Sequence, residues 1–571
     1  MKKRLLAGAL ALLCLAGCST PAPDPQNLPQ DSGDATKVAY VPLDDRPVNT
    51  DRVAYLAGSL GYELVMPDEE DYRTRLDEQP LGENGLKYGD RAALYEWVLA
   101  QEETGCDRYI LSLDQLTSGG LVNSRCFAGE DVTLSDGTVM SETQLIESLF
   151  AALSAPENEI WILDTVMRLA PTVGYDGNTL KDYNSLREYA MQARPELDGD
   201  ELTLENIVKN YPLGADGKVI PYDETVTSGY FKSRARKLEL IKCALDASAN
   251  MENVHFLIGV DDSAPSASIQ TSELKWLSRA VTGRGAVLSG ADEDGMLAVC
   301  KMYAELDYDG ALPEVYVRCF GGGADIASSD YDHQTLSEII KAHLDYLGLG
   351  ETDSPDGENV LQLVALTKPA DESLKSRYID DTIAALLENE ESRVPTIFMD
   401  AASNQYGGDF QKKFLRSTQL GSLLGYAGFY DLANVTGIAL ANGVARWLCL
   451  AQGGPETQGQ LDDFRRTLAD SLIKDICYKN DAKIELDSYI RGDLGGDPDN
   501  FSRSGTDPQI VLDKAQKLLD GSSASVLKNL EHSSLLTDLN GGTAGFGTLA
   551  IKDLSFPWLR IFELRFTLEA N

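Results

Sequence analysis

The chain has 571 residues, with 90 acidic against 50 basic side chains and a net charge of −40 at pH 7. That length exceeds one hydrophobic core and predicts roughly two to four domains. The charge makes nucleic acid a poor partner, because phosphate binding needs clustered Lys and Arg, and an anionic ligand would need a local arginine cluster.

Residues 1–18 read as a lipoprotein signal peptide. Lys2, Lys3 and Arg4 form a positive start, and Leu5 to Leu15 make an apolar run too short for a stable membrane span. Leu15-Ala16-Gly17-Cys18 resembles the bacterial lipobox, whose cysteine is acylated and becomes the mature N-terminus. A plain secretory signal is the alternative. Residues 19–36 carry Pro, Asp, Ser and Gly and read as a solvated tether. The expected location is extracytoplasmic, with the lipid on Cys18 as the membrane contact.

From Lys37 onward short apolar runs alternate with helical patterns, the rhythm of parallel α/β construction. Strands are expected at Val38–Leu43, Tyr62–Met66, Arg108–Leu113 and Ile160–Leu163, with helices at Arg91–Gln101 and Thr143–Leu153 between them. Residues 171–224, rich in Tyr, Asn, Asp and Gly, break the rhythm and read as an insertion over the strand ends. A helix at Ser233–Ala247 and strands at Val254–Val260, Gly285–Leu288 and Glu314–Cys319 follow. Ser354 to Glu358 read as a linker. It divides an N-terminal α/β domain (37–353) from a second α/β unit (354–455) with strands at Val360–Leu366, Thr396–Met399 and Leu424–Phe429. The region 456–571 is expected to hold two helical stretches, Gln460–Lys479 and Pro508–Leu530, and a β-like tail from Thr548 to Leu568. The fold class is therefore α/β with parallel Rossmann-like sheets, flanking helices and a mixed C-terminal region. An irregular (β/α)8 barrel is the alternative, since it produces the same alternation.

Several chemistries lack their signatures. Cys106, Cys126, Cys243, Cys300, Cys319, Cys449 and Cys477 are scattered without a CxxC spacing, so free thiols are expected. His255, His333, His343 and His532 are not at metal-ligand spacing. Gly321-Gly322-Gly323 lacks both the phosphate-loop Lys and the spaced dinucleotide glycines, so no nucleotide cofactor is indicated. No cofactor is expected, apart from the option of a divalent cation held by aspartates.

Carboxylates recur just past the strand ends. Asp44 and Asp45 follow the first strand, Asp114 the third, Asp164 the fourth, Asp261 and Asp262 the fifth, Asp292 and Glu293 the sixth, and Asp400 a later one. In parallel α/β folds ligands bind at that edge, because loops and helix N-termini converge there. Asp after a strand also serves as an ordinary helix N-cap, and for Asp164, Asp292 and Glu293 both roles stay open. Adjacent pairs exceed what a cap needs, and like charges in one cleft raise one pKa, as acid catalysis requires. Ser112 to Arg125 places Asp114, Gly119, Gly120, Ser124 and Arg125 in one loop, and Leu424 to Asn434 offers Tyr426 and Asn434 at another strand end.

Tyr40-Val41-Pro42-Leu43-Asp44-Asp45-Arg46-Pro47-Val48-Asn49 resembles the start of domain of unknown function family 4127. Ser112-Leu113-Asp114 with Gly119-Gly120-Leu121 and Ser124-Arg125, Met167-Arg168 and Asp261-Asp262-Ser263 are similar to that family's landmarks in the same order. So are Gly290-Ala291-Asp292-Glu293, Gly425-Tyr426-Ala427-Gly428 with Asn434, and Phe556-Pro557-Trp558-Leu559-Arg560-Ile561-Phe562-Glu563. The chain departs at Phe429-Tyr430, where the pattern has Trp-Asn. The resemblance implies one module over nearly the whole mature chain and supplies no reaction.

The functional expectation is an extracytoplasmic, lipid-anchored carbohydrate-active hydrolase, a glycosidase working through paired aspartates. Asp261, Asp262 and Asp114 are the expected catalytic groups. Asp44, Asp45, Arg46, Asn49, Gly119, Gly120, Ser124, Arg125, Arg168, Asp292, Glu293, Asp400, Tyr426 and Asn434 are expected to bind substrate. Arg46, Arg125 and Arg168 could orient a substrate carboxylate or phosphate. The alternatives are a non-catalytic lipoprotein binding a glycan or small polar ligand, and a divalent-metal-dependent hydrolase.

Overall fold

A computed structural model describes residues 35–325, 329–357, 359–428, 431–453 and 456–570, so the expected signal peptide with Cys18 lies outside the described residues. The strands in chain order are β1 (Thr36–Val41), β2 (Tyr62–Val65), β3 (Arg108–Ser112), β4 (Val132–Thr133), β5 (Val139–Met140), β6 (Glu159–Val166), β7 (Val254–Val260) and β8 (Gly285–Ser289). Then come β9 (Glu314–Phe320), β10 (Gly350–Glu351), β11 (Val360–Leu366), β12 (Thr396–Asp400), β13 (Gly425–Ala427), β14 (Ser534–Leu536), β15 (Thr543–Gly545), β16 (Leu549–Ser555) and β17 (Arg565–Ala570).

Two open parallel sheets result. The first runs β2-β1-β3-β6-β7-β8 and the second β10-β9-β11-β12-β13. In each, the chain steps outward once and then returns to build on the other side. The order therefore reverses between β1 and β3 and again between β9 and β11, the positions where doubly wound folds open a crevice. Each sheet ends in two unpaired edges, which excludes the closed barrel. Small antiparallel pairs, β14-β15 and β16-β17, complete the C-terminal region.

Side-chain alternation decides how the sheets stack. Val38 and Tyr40 of β1 share a core with Leu361, Leu363 and Ala365 of β11. Ala39 and Val41 face a second core, and Val364 and Leu366 a third. Helices Asp294–Leu306, Leu336–Leu347 and Leu432–Gln452 contribute to the shared core, so they fill the space between the sheets. Buried on both sides, the central strands are apolar almost without interruption, as parallel strands are; all of β11 is buried.

The expected divide near residue 354 does not separate the sheets. Glu314–Phe320 and Gly350–Glu351 belong to the second sheet, so the boundary falls between β8 and β9. The polar run from Ser354 to Gly357 is a loop beyond edge strand β10. The expected helix at Gln460–Lys479 forms as Gln458–Leu472 and continues as a π-helix over Ile473–Ala482. All seven described cysteines are free. No helix among the described residues is long and apolar enough to cross a membrane.

Candidate active-site cleft

A cleft of about 330 Å³ opens at the carboxyl ends of the first sheet. The loops after β1, β3, β7 and β8 form one wall. The insertion adds Thr172, Val173 and Tyr183, the start of helix Leu432–Gln452 adds Asp431 and Asn434, and the C-terminal tail adds Trp558, Arg560 and Phe562.

The loop after β1 is built around Arg46. Asp44 Oδ1 accepts hydrogen bonds from the Arg46 backbone N–H at 3.0 Å and from Asn49 Nδ2 at 2.8 Å, folding the loop onto itself. Arg46 Nε then meets both Asp44 oxygens, at 3.1 and 2.9 Å. Its Nη1 and Nη2 grip Asp292 at 2.8 and 2.5 Å, tying the loop after β1 to the loop after β8. Asp45 faces elsewhere: its Oδ1 accepts from Trp558 Nε1 at 2.7 Å and from the Thr74 N–H at 3.1 Å. Burial, with Asp44 beside it, pushes the Asp45 carboxyl up to about 6. Neither Asp44 nor Asp45 lines the cleft. One aims an arginine and the other fastens the tail.

The second aspartate pair also divides. Asp261 Oδ2 accepts from Arg125 Nε at 3.0 Å and Nη2 at 2.5 Å. Burial alone would raise Asp261, but Arg125 and Arg168 outweigh it and hold the carboxyl below its ordinary range. Asp262 is ion-paired with Arg168, whose guanidinium lies over the Tyr183 ring at 5.5 Å. Asp262 has φ +28°, a backbone conformation that costs a side-chain-bearing residue about 1–3 kcal/mol and gathers at functional sites.

Asp292, Asp332 and Asp431 also line the cleft, and Asp431 is not among the expected site residues. It occupies the N-cap position of helix Leu432–Gln452 yet makes no capping bond. Asp332 does that work instead, its Oδ2 accepting from the Leu432 N–H at 3.0 Å while Ser329 Oγ donates to it at 2.7 Å. Released from capping, the Asp431 side chain faces the cleft, and burial together with Asp332 and Asp292 pushes it up to about 7. Asn434, one turn on, donates to Glu293 Oε2 at 3.0 Å. Glu293 lies buried behind the cleft wall, where burial raises its carboxyl.

Other expected residues lie away from the cleft. Asp114 is ion-paired with Lys237 and accepts from Thr165 Oγ1 at 2.6 Å, while Lys237 also reaches Asp164 at 3.2 Å. Asp164 is neither a cap nor a cleft residue but an interior member of β6. Gly119 and Gly120 take φ +70° and +120°. A Cβ on Gly119 would stand 2.6 Å from the Gly89 carbonyl oxygen, so this glycine serves chain packing rather than ligand approach. Ser124 Oγ donates to the Leu121 carbonyl at 2.8 Å. Tyr426 is core, its ring among Phe398 and Phe414, and Asp400 is buried at the end of β12. Among the described residues no group of three or more His, Cys, Asp or Glu side chains is arranged to hold a metal ion. Asp261, Asp262 and Asp292 meet arginines instead.

A family model described as "Protein of unknown function (DUF4127)" matches residues 38–567, nearly the whole chain. The chain belongs to this family. No curated protein and no solved structure matches it. Every segment that builds the DUF4127 cleft, from the loop after β1 to the Trp558–Phe562 tail, falls inside the matched span. Among the cleft residues that sequence reasoning overlooked, Asp431 and Arg560 each carry a usable signal. Asp431 stands three residues before Asn434 at a helix start, and Arg560 alternates with Trp558 and Phe562 in the tail.

Proposed function

We propose that the cleft is the active site of a carbohydrate-active hydrolase, with Asp431 as proton donor and Asp262 as the second carboxylate. The observation that carries this reading is the released N-cap carboxyl of Asp431, half-buried in the cleft with its pKa raised to about 7. A general acid needs a pKa near the working pH, and the aspartate's environment supplies it. Asp431 would protonate the departing glycosidic oxygen. Asp262, oriented by Arg168 on a strained turn, would deprotonate the attacking water or attack the sugar carbon itself, and the spacing across bound substrate sets which. Phe562 and Tyr183 add aromatic surface to the cleft lining that a sugar could meet. The sequence alone supports an extracytoplasmic location with attachment through Cys18.

The test is hydrolysis of an oligosaccharide and aryl-glycoside panel by wild type, Asp431→Asn and Asp262→Asn. Both variants should lose about 100-fold or more in kcat/KM. In wild type the donor must be protonated, so kcat/KM should fall tenfold per pH unit above about pH 7. Full turnover by both variants would end this assignment.

A second reading, a binding protein without catalysis, is favoured by the cleft's walls coming from both α/β units. It predicts thermal shifts with glycans and no products. The common core between the sheets argues against the hinged lobes such proteins use.

A further inference from the structure

We propose that Arg560 receives an oxyanion, a carboxylate or phosphate, on the molecule bound in the cleft. This deepens the hydrolase reading and rests on the same cleft. Four guanidiniums line the cleft, and three are already matched: Arg46 with Asp44 and Asp292, Arg125 with Asp261, and Arg168 with Asp262. Arg560 has no acid within ion-pair distance and no hydrogen-bond acceptor among the described residues, and its Nε is buried without a partner.

Its setting is built rather than incidental. The guanidinium lies 4.6 Å from the Trp558 ring centroid and 4.8 Å from that of Phe562. Aromatic rings occupy its surroundings, and the edge donors of its planar fork remain for a ligand. Trp558 and Leu559 hold φ +59° and +43°, two successive side-chain-bearing residues in the left-handed region. The turn is fixed by Trp558 Nε1 on Asp45 and by Gln79 donating to the Trp558 carbonyl. Burial, with Arg46 close by, pulls the Arg560 guanidinium down to about 10, the mark of a cation lacking its counter-charge. In a chain of net charge −40, long-range attraction cannot bring an anion here. Screening confines that field to about 8 Å at physiological salt, so the local fork decides, and it matches two coplanar oxygens.

The experiment is calorimetric titration of the wild-type protein with D-glucuronate, glucose 6-phosphate, inorganic phosphate and neutral D-glucose. At least one anion should bind in the millimolar range or tighter, at least about tenfold more tightly than glucose. A glucuronate preference identifies a carboxylate and a phosphate preference a phosphoryl group. Arg560→Gln should weaken the anion about tenfold or more and leave glucose unchanged, while Arg560→Lys should restore part of the loss. Affinity should also fall with added salt in wild type and not in Arg560→Gln. Equal binding of anion and glucose, an unchanged affinity in Arg560→Gln, or no binding of any anion overturns the proposal. Glycan turnover, followed in parallel, separates the two readings. Cleavage of neutral glycans by a wild-type protein that binds none of the anions would remove the oxyanion and keep the hydrolase, and anion binding without turnover of any glycan would do the reverse.

Discussion

Asp114 and Asp431 show how burial alone fails to mark a catalytic carboxyl. Asp114 is 1% exposed and lies between the Lys237 ammonium and the Thr165 hydroxyl, so its charge is already committed to the interior. Removing it leaves Lys237 with Asp164 as its remaining acid, and breaking a buried pair is strongly destabilising. Asp114→Asn should therefore lower the unfolding free energy by about 3 kcal/mol in urea titrations. Asp431→Asn, which removes a carboxyl without a hydrogen-bond or ion-pair partner among the described residues, should not lower it. Equal stability of Asp114→Asn and wild type would mean that the network carries no load. Residue type and spacing in the chain reveal that acids gather at strand ends. Which acids keep a free, near-neutral carboxyl depends on partners such as Lys237 and Asp332 that lie far away in sequence.

Elements followed the apolar pattern closely where strands are buried on both faces, as at β7 and β11, whereas β1 starts and ends two residues earlier than expected. Short or edge elements were less legible. The expected strand at Leu424–Phe429 is β13, Gly425–Ala427, and β9 joins the second sheet rather than the first. Apolar periodicity reports that a strand is buried but says nothing about which sheet buries it. The motif at Gly425 shows a similar limit. Its glycine is a packing contact: a Cβ there would stand 2.6 Å from both the Ala439 carbonyl oxygen and the Gly443 nitrogen of helix Leu432–Gln452. Neither atom can move without shifting the helix that presents Asp431. Gly425→Ala should thus cost about 1–3 kcal/mol of stability and depress ligand affinity in the cleft as well. A variant with wild-type unfolding and binding would show that strand and helix have slack.

At the scale of the molecule, the two sheets share one layer of helices and one core. Trp447 lies in that core with Trp161 of the first sheet and Met399 of the second, so neither sheet can lose its partner without exposing its inner face. Arg52, on the helix after β1, pairs with Asp470 at 2.7 Å and with Asp475 at 3.3 Å, binding the first α/β unit to the helical C-terminal region. Calorimetry should give a single transition with equal calorimetric and van't Hoff enthalpies. Two resolved transitions would show that the halves fold independently. The sequence by itself determined the α/β class and the crowding of acids at the strand ends, because local apolar periodicity and composition carry those signals. Only the tertiary structure decided the open sheets, the boundary between β8 and β9, and the cleft that Arg560, unmatched among the described residues, shares with Asp431. Ion pairing and burial join residues hundreds of positions apart, and no local pattern records which charge finds its partner.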